Sequence, residues 1–306
     1  MRSVSIVVPA YNSEGTLSAL VSRTGQVLQR LGCSFYEMVI VNDGSMDNTW
    51  QIITEIVREH PWVRGVDLMR NYGQHNALLC GIRIAKGEII VTIDDDMQNP
   101  PEEIPKLLCK LDEGYDVVYG TPSNEQHGLW RNLASVVTKM ALQTAMKADT
   151  ARNVSAFRAF NASVRDAFER YTGPFVSIDV LLTWGTTRFA AERVSHSKRT
   201  IGTSNYTFSK LVTHALNMVT GFSVLPLQIA SMLGFALALF GVGVLAYVIG
   251  RYLIMGGSVP GFPFLASVIA IFSGAQLFAL GILGEYLARI HFRSMEKPPY
   301  TIRHKV

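Results

Sequence analysis

Two long stretches without a single charged side chain constrain this 306-residue chain more than any other feature. From Leu211 to Gly250 there is no Asp, Glu, Lys or Arg; Arg251 interrupts, and a second uncharged run extends from Tyr252 to Gly284. Crossing a bilayer as a helix takes about 20 apolar residues, and Leu225 to Gly250 and Phe262 to Gly284 both satisfy that length. Buried helices of a soluble core are the competing reading, a weak one for two uncharged runs this long. The connection from Arg251 to Gly261 holds Gly256, Gly257, Pro260 and Gly261 and a single charge, whereas the tail carries Arg289, Arg293, Lys297, Arg303 and Lys305 against Glu285 and Glu296. Cytoplasmic flanks collect Lys and Arg. The pattern therefore predicts a hairpin over 224–288 with spans at about 225–251 and 262–285, its short connection outside, and a basic cytosolic tail over 289–306.

The rest of the chain reads as a soluble domain. Overall, 17% of residues are charged, below the usual quarter or so, but the deficit is concentrated in the two runs, and charges are frequent from Met1 to Lys210. Met1 and Arg2 lead directly into an apolar strand pattern with no apolar leader region, so no cleaved signal is expected. Cys33, Cys80 and Cys109 are odd in number and have no metal-binding spacing, which fits a reducing compartment. A net charge of +4 without a basic stripe interleaved with aromatics argues against nucleic acid as a partner.

Along the first 120 or so residues two periodicities alternate. Val4–Val8, Met38–Val41, Val63–Leu68, Glu88–Ile93 and Tyr115–Tyr119 read as strands; Ser13–Leu31, Thr49–Val57, Ala77–Ala85 and Pro101–Leu111 read as helices. Strands separated by helices predict an α/β domain with a mostly parallel, Rossmann-like sheet built from right-handed crossovers. This domain is expected to span 1–206. Between this domain and the hairpin, Phe208, Leu211, Val212, Ala215, Leu216, Val219 and Phe222 form one apolar helical stripe. This predicts an amphipathic helix over 207–223 lying in the membrane interface, with Lys210 near anionic lipid; packing against the soluble core is the other reading.

In open parallel sheets ligands bind beyond the carboxyl ends of the strands, and three strand ends here carry unusual residues. Pro9, Ala10, Tyr11, Asn12 and Ser13 follow the first strand, Asn42, Asp43, Gly44 and Ser45 the second, and Asp94, Asp95, Asp96, Met97 and Gln98 the fourth. Carboxylates two apart on a strand share one side of the pleat, and their repulsion is relieved by a cation between them. A hard divalent ion typically takes one or two carboxylates plus phosphate oxygens. Asp94 and Asp96 are therefore expected to hold a metal that grips a diphosphate, with Asp95 touching the ligand, helping to hold the metal, or facing the opposite side. An acidic turn capping the helix opened by Pro100 and Pro101 is the alternative. Asp43 offers an acceptor for a base imide or a ribose hydroxyl, or else caps the next helix, a role open also to Ser45 or Asp47. Tyr11 is placed to stack on a base or to pack in the core.

Taken in order, Ser5-Ile-Val-Val-Pro-Ala-Tyr-Asn12, Val41-Asn-Asp-Gly-Ser45, Arg70-Asn-Tyr-Gly-Gln-His75 and Ile93-Asp-Asp-Asp-Met-Gln-Asn-Pro-Pro-Glu102 resemble the family-two glycosyltransferases of the glycosyltransferase-A fold. Within them the chain resembles polyprenyl-phosphate glycosyltransferases such as dolichyl-phosphate mannose synthases, and most nearly the bacterial undecaprenyl-phosphate 4-deoxy-4-formamido-L-arabinose transferases. Asp112-Glu-Gly-Tyr-Asp-Val-Val118, Gly202-Thr-Ser-Asn-Tyr206 and Gly281-Ile-Leu-Gly-Glu-Tyr286 extend the likeness. The resemblance implies a nucleotide-sugar donor, UDP-linked, a polyprenyl phosphate acceptor, Mg²⁺ or Mn²⁺, inversion at the anomeric carbon, and a multi-pass protein of the bacterial inner membrane with its catalytic domain and both termini cytosolic. A role in cell-envelope glycan modification and a homo-oligomer, a tetramer in close relatives, are further implications. Residue by residue it implies metal ligation by Asp94, Asp96 and Gln98, and nucleotide contacts from Pro9, Tyr11, Asn12, Glu14 and Asp43, with Asp95 and Ser204 also at the donor. It gives phosphate contacts to Arg199 and, for the acceptor, to Arg158; an arginine offers paired donors suited to a phosphate. The sequence departs from the family where Asn205 stands in place of a usual lysine, and where Asp95 stands in place of a small residue.

A phosphate monoester has its second pKa near 6 and is mostly a dianion at neutral pH, so such an acceptor needs no strong general base. This agrees with the absence of a histidine-centred base; His75 reads equally as a pocket or a structural residue. A processive polysaccharide synthase would normally carry Gln-x-x-Arg-Trp, and here Gln126 and Trp130-Arg131 stand in the wrong order. A non-catalytic scaffold or a lipid-carrier transport component is the rival of another class, in which the acidic triplet would only cap a helix.

Overall fold

A computed structural model describes residues 2–122, 154–173, 175–196, 225–255 and 261–306. The chain forms two compact units, Met1–Ala215 together with Glu296–Val306, and Leu216–Met295.

The first unit is built on an eight-stranded sheet in the order β7-β5-β6-β4-β1-β2-β3-β8. Its strands are β1 (Ser3–Ala10), β2 (Phe35–Asn42), β3 (Val63–Leu68), β4 (Ile89–Thr92), β5 (Val117–Pro122), β6 (Arg158–Asn161), β7 (Phe189–Val194) and β8 (Ile302–Lys305). β1 pairs in parallel with β2 and β4, and β2 with β3, as the alternating pattern requires. The central strand β1 is buried from Val4 to Ala10, the continuous apolar run of a parallel strand covered on both faces. Helices α1 (Leu17–Arg30), α2 (Thr49–Glu59) and α4 (Ile104–Asp112, preceded by a 3₁₀ turn, Pro101–Glu103) cover one face. There Leu17, Leu20, Leu28, Ile53 and Leu107 meet Val4, Ile6, Val8, Met38 and Ile40, all fully buried. Helix α3 (Gln74–Ile84) covers the other, where Ala77 and Cys80 join Val39, Val41, Val66 and Leu68. Each such Val, Leu or Ile side chain contributes about 1.5–3 kcal/mol by leaving water.

Two features depart from a simple doubly wound sheet. β6 lies antiparallel between β4 and β5, so the fifth strand is not a direct neighbour of the fourth. β8 joins the far edge antiparallel to β3. The sequence reading took 289–306 as a basic tail; instead its first residues complete a helix and Ile302–Lys305 is a strand of the same sheet as β1. Helix α5 (Ile178–Gly185) precedes β7.

The second unit consists of α6 (Leu225–Met255) and α7 (Phe262–Ser294). At about 1.5 Å per residue both exceed the roughly 30 Å hydrocarbon core of a bilayer. Pro226–Ile254 and Ile271–His291 are long and apolar enough to cross a membrane. Gly241 of α6 lies 3.0 Å, measured from where a Cβ would stand, from the Phe272 ring of α7. Phe235, Leu239, Tyr252, Leu253, Leu277 and Leu280 are exposed; a contiguous apolar surface of this kind requires a lipid or protein cover. α7 continues past Glu285, which pairs with Arg289 one turn on at 2.7 Å. The amphipathic helix expected over 207–223 lies outside the described residues.

Candidate active site

Three loops follow the carboxyl ends of β1, β2 and β4, and a fourth, Met69–Gly73, follows β3. A dense set of hydrogen bonds ties them together. Asp95 accepts at Oδ2 from the Tyr11 backbone N–H (3.2 Å) and from the Ser13 hydroxyl. Ser13 N–H in turn donates to Thr49 Oγ1 at 2.8 Å. Asn12 receives the Met46 N–H at Oδ1 (2.9 Å) and donates its own N–H to Ser45 Oγ (3.0 Å). Glu14 Oε2 accepts from Asn48 N–H at 3.0 Å. The loops after β1, β2 and β4 are thus one bonded cluster, formed because parallel crossovers deliver every one of these strand ends to the same edge.

Asp43, 3% exposed, accepts from the backbone N–H groups of Tyr72 (Oδ1, 2.7 Å) and Gly73 (Oδ2, 2.8 Å). Burial raises its carboxyl above the ordinary range, and those two amides oppose the shift. An ionised carboxylate offers about four acceptor positions, and these two amides take two of them. Asp43 does not cap the next helix: the N-cap of α2 is Asn48, without a side-chain cap bond, and Asp47 Oδ1 accepts from Thr49 N–H at 3.1 Å. Gly44 has φ 66°, and a Cβ there would stand 2.5 Å from the Arg70 carbonyl carbon and the Asn71 nitrogen. Only glycine allows the loop after β3 to come so close.

The acidic triplet differs in two ways from its sequence reading. β4 ends at Thr92, so Asp94–Asp96 lie in the loop beyond the strand and the pleat does not set their directions. Asp95 does not simply face away from the others; burial and the neighbouring charge of Asp96 raise its carboxyl, against the Ser13 and Tyr11 hydrogen bonds that lower it. It is the bridge from this loop to the one after β1. Asp94 Oδ1 accepts from Gln74 Nε2 at 2.6 Å, and Asp96 Oδ1 from Gln98 N–H at 3.1 Å, across a turn where Met97 has φ 60°. The triplet caps no helix: the 3₁₀ turn begins only at Pro101 and has no side-chain cap.

Among the described residues no three His, Cys, Asp or Glu side chains gather as a metal cluster. Asp94 and Asp96, both partly exposed, provide two hard carboxylate donors. A Mg²⁺-type ion needs no more than that from a protein when phosphate oxygens and water complete its shell. The donor set fits an ion that binds with a diphosphate, and does not fit an all-protein cage.

Among the expected nucleotide contacts, Tyr11 is 42% exposed at this edge. Pro9 is buried within β1, and the side chains of Asn12 and Glu14 are engaged in the loop-to-loop bonds above. Arg158 requires correction. It is 1% exposed, ion-paired to Asp179, and donates from Nε to Thr92 Oγ1 at 3.1 Å. Tyr119 donates its hydroxyl to the same Asp179 at 3.2 Å. The reason is the insertion of β6, which sets Arg158 opposite both Thr92 and Tyr119 in the middle of the sheet. Its charge is compensated and enclosed, so it presents nothing to an acceptor phosphate; it braces β4 just below Asp94. His75 Nδ1 lies 3.4 Å from the Ile178 N–H that donates to it. Arg199, Ser204 and Asn205 lie outside the described residues.

Within Arg70–His75 the sequence points to a role for His75 alone. Here Tyr72 and Gly73 hold Asp43 and Gln74 holds Asp94, and Ser13, Ser45 and Thr49 complete the cluster. The tight glycine after Asp43 was the sign that another loop had to pass there.

Comparison with known proteins shows the family and the fold. Residues 5–171 match the model of glycosyl transferase family 2. The chain is 34% identical, over 100% of its length and 94% of theirs, to undecaprenyl-phosphate 4-deoxy-4-formamido-L-arabinose transferases of Pectobacterium atrosepticum and Klebsiella pneumoniae. The enzyme of that name from Yersinia pestis is 33% identical over 99% of this chain and 93% of its own. The fold resembles glucosyl-3-phosphoglycerate synthase from Mycobacterium tuberculosis solved with Mn²⁺, UDP and phosphoglyceric acid (TM-score 0.52, 19% identity, 72% of this chain and 76% of that one). The same synthase with Mg²⁺ and UDP superposes with a TM-score of 0.51, at 19% identity over 72% of this chain and 77% of that one. By the match over more than half its length and by its full-length relatives, this chain belongs to glycosyl transferase family 2 and is a glycosyltransferase.

Proposed function

We propose that the protein transfers a sugar from a UDP-linked donor to undecaprenyl phosphate at the cytosolic face of the bacterial inner membrane, with inversion at the anomeric carbon. The observation that carries this reading is the hydrogen-bonded convergence of the Asp94–Asp96 loop with Tyr11–Ser13 and Asp43. It places hard acceptors, an exposed aromatic ring and a buried carboxylate at the one sheet edge where nucleotides bind in such folds. The names of the full-length relatives support the lipid acceptor, and the metal–UDP complexes of the fold neighbours support the donor.

Asp94 and Asp96, with Gln98, would hold Mg²⁺ or Mn²⁺. Bound there, the ion supplies Lewis-acid stabilisation of charge on the departing diphosphate. Tyr11 is read as a platform for the base, Asp43 as the acceptor for its imide or ribose, and Asp95 as the residue that fixes the Tyr11 loop. The acceptor phosphate is already a nucleophile as its dianion. The protein must therefore bring it close and neutralise it rather than deprotonate it. With Arg158 enclosed, that task falls in this reading to Arg199, with Ser204 at the donor.

We read α6 and α7 as a membrane hairpin and 207–223 as an interfacial helix that keeps the pocket near the headgroups. Because β8 belongs to the same sheet as β1, the segment between them must cross a bilayer an even number of times, consistent with two spans and both termini cytosolic. A homo-oligomer is part of the proposal. The test is to incubate purified protein with a panel of nucleotide sugars, Mg²⁺ or Mn²⁺ and undecaprenyl phosphate, following glycolipid by mass spectrometry and its anomeric configuration by NMR. A UDP-sugar-dependent glycolipid, lost in Asp96→Ala, is expected; turnover undiminished by Asp96→Ala contradicts the reading.

A further inference from the structure

The strand that follows both long apolar helices is bonded to the loop that holds the two acidic groups of the donor site. β8 pairs with β3 so that Lys305 faces Val66, His304 faces Asp67 and Ile302 faces Leu68, with a register shift at Asp67/Leu68. Past the shift the contacts continue onto the loop after β3. The Met69 N–H donates to the Thr301 carbonyl at 2.9 Å, and Arg303 Nη2 donates to the Met69 carbonyl at 2.6 Å. Arg303 Nη1 also lies 3.7 Å from Asp67 Oδ2, whose other oxygen accepts from Asn42 at 2.7 Å. Tyr300 and Ile302 pack with Tyr72 on the cluster of Val39, Val41, Val66 and Leu68.

From this loop the contacts run straight to the site: Tyr72 and Gly73 amides to Asp43, and Gln74 to Asp94. A free loop of this length samples many conformations, and fixing each residue costs conformational entropy. Beyond its neighbours at Gly44, the loop meets β8, which is sequence-distant and present in the sheet only when the chain has returned from α7.

We propose that residues 300–305 are a positioning element of the donor site: Thr301 and Arg303 fix the Met69–Gly73 loop, and through it the Asp43 carboxylate, for binding the nucleotide part of the donor. The donor pocket is then complete only in a chain whose C-terminus has come back to the side of the sheet, which ties donor binding to correct insertion of the hairpin. The proposal rests on the reading of Asp43 as a nucleotide contact.

The experiment measures donor KM, acceptor KM and kcat on full-length protein for Arg303→Ala, Arg303→Lys, Ile302→Ala and Asp43→Ala. Losing the guanidinium bond to the Met69 carbonyl is worth one hydrogen bond, which converts to roughly a three- to tenfold rise in donor KM. Arg303→Ala and Ile302→Ala are expected to show that rise with acceptor KM unchanged, and Arg303→Lys, which keeps a donor for that carbonyl, to stay closer to the parent. A fall in kcat alone, with donor KM unmoved in Arg303→Ala, would mean a merely structural strand and overturns the proposal. If Asp43→Ala raises donor KM while both C-terminal variants do not, the proposal fails and the nucleotide reading stands. If Asp43→Ala leaves donor KM unchanged, the nucleotide reading fails first and the proposal with it.

Discussion

Replacing Arg158 by methionine separates a structural brace from a phosphate ligand. The guanidinium is 1% exposed and its partner Asp179 10%. Met keeps much of the stem's volume but removes the ion pair with Asp179 and the bond to Thr92. Asp179 is then left buried with the Tyr119 hydroxyl as its remaining described donor. Removing one member of a buried pair costs about 3–5 kcal/mol, because the surviving charge is uncompensated. For a domain of this size that corresponds to a fall in Tm of about 10 °C. Thermal unfolding of the detergent-solubilised protein measures it, and the paired variant Arg158→Met/Asp179→Leu should recover most of the loss. A Tm within a degree or two of the parent, together with a selective rise in acceptor KM, would refute the enclosed-brace argument and return Arg158 to the acceptor site.

Asp95→Ala removes the acceptor shared by Tyr11 N–H and Ser13; donor KM should rise about tenfold for the two lost bonds, with acceptor KM unchanged in steady-state kinetics. Gly44→Ala puts a Cβ 2.5 Å from backbone atoms of Arg70 and Asn71 at φ 66°, so a loss of at least about 2 kcal/mol is expected, read as a lower denaturation midpoint. The bidentate bond from Arg188 (3.0 and 2.7 Å) holds Asp116 below the usual carboxylate range. A depressed carboxyl contributes stability above its unfolded pKa near 3.9 and loses it as pH falls through the lower folded value. The stability gap between parent and Asp116→Asn should therefore be constant near neutrality and close below about pH 4, as followed by denaturant midpoints.

The parallel core was legible because each buried strand is an unbroken apolar run and each helix an amphipathic one; β1, β2, β3 and α1 to α4 fall where Val4–Val8, Met38–Val41, Val63–Leu68 and the 3.6-residue stripes put them. β6 and β8 were not. Arg158–Asn161 and Ile302–Lys305 are four-residue strands without the unbroken apolar run that marks the equally short β4, and β8 carries three basic or imidazole side chains typical of an edge. The acidic triplet stood out in the sequence, but the pleat argument for it failed because β4 stops at Thr92. The direction of Asp95, left open by the sequence, is set by Tyr11 and Ser13, 84 and 82 residues away in sequence. Arg158 was misread because nothing in its local sequence reveals that a tertiary partner, Asp179, encloses it.

The central claim is that the Asp94–Asp96 tip grips a donor diphosphate through a divalent ion. Titrating Mn²⁺ into the protein with and without UDP, and counting free Mn²⁺ by electron paramagnetic resonance, tests it directly. The account predicts Mn²⁺ binding that tightens when UDP is present and weakens at least about tenfold in Asp94→Asn and Asp96→Asn. UDP-dependent Mn²⁺ binding of parental strength in the Asp94→Asn/Asp96→Asn double variant would contradict it.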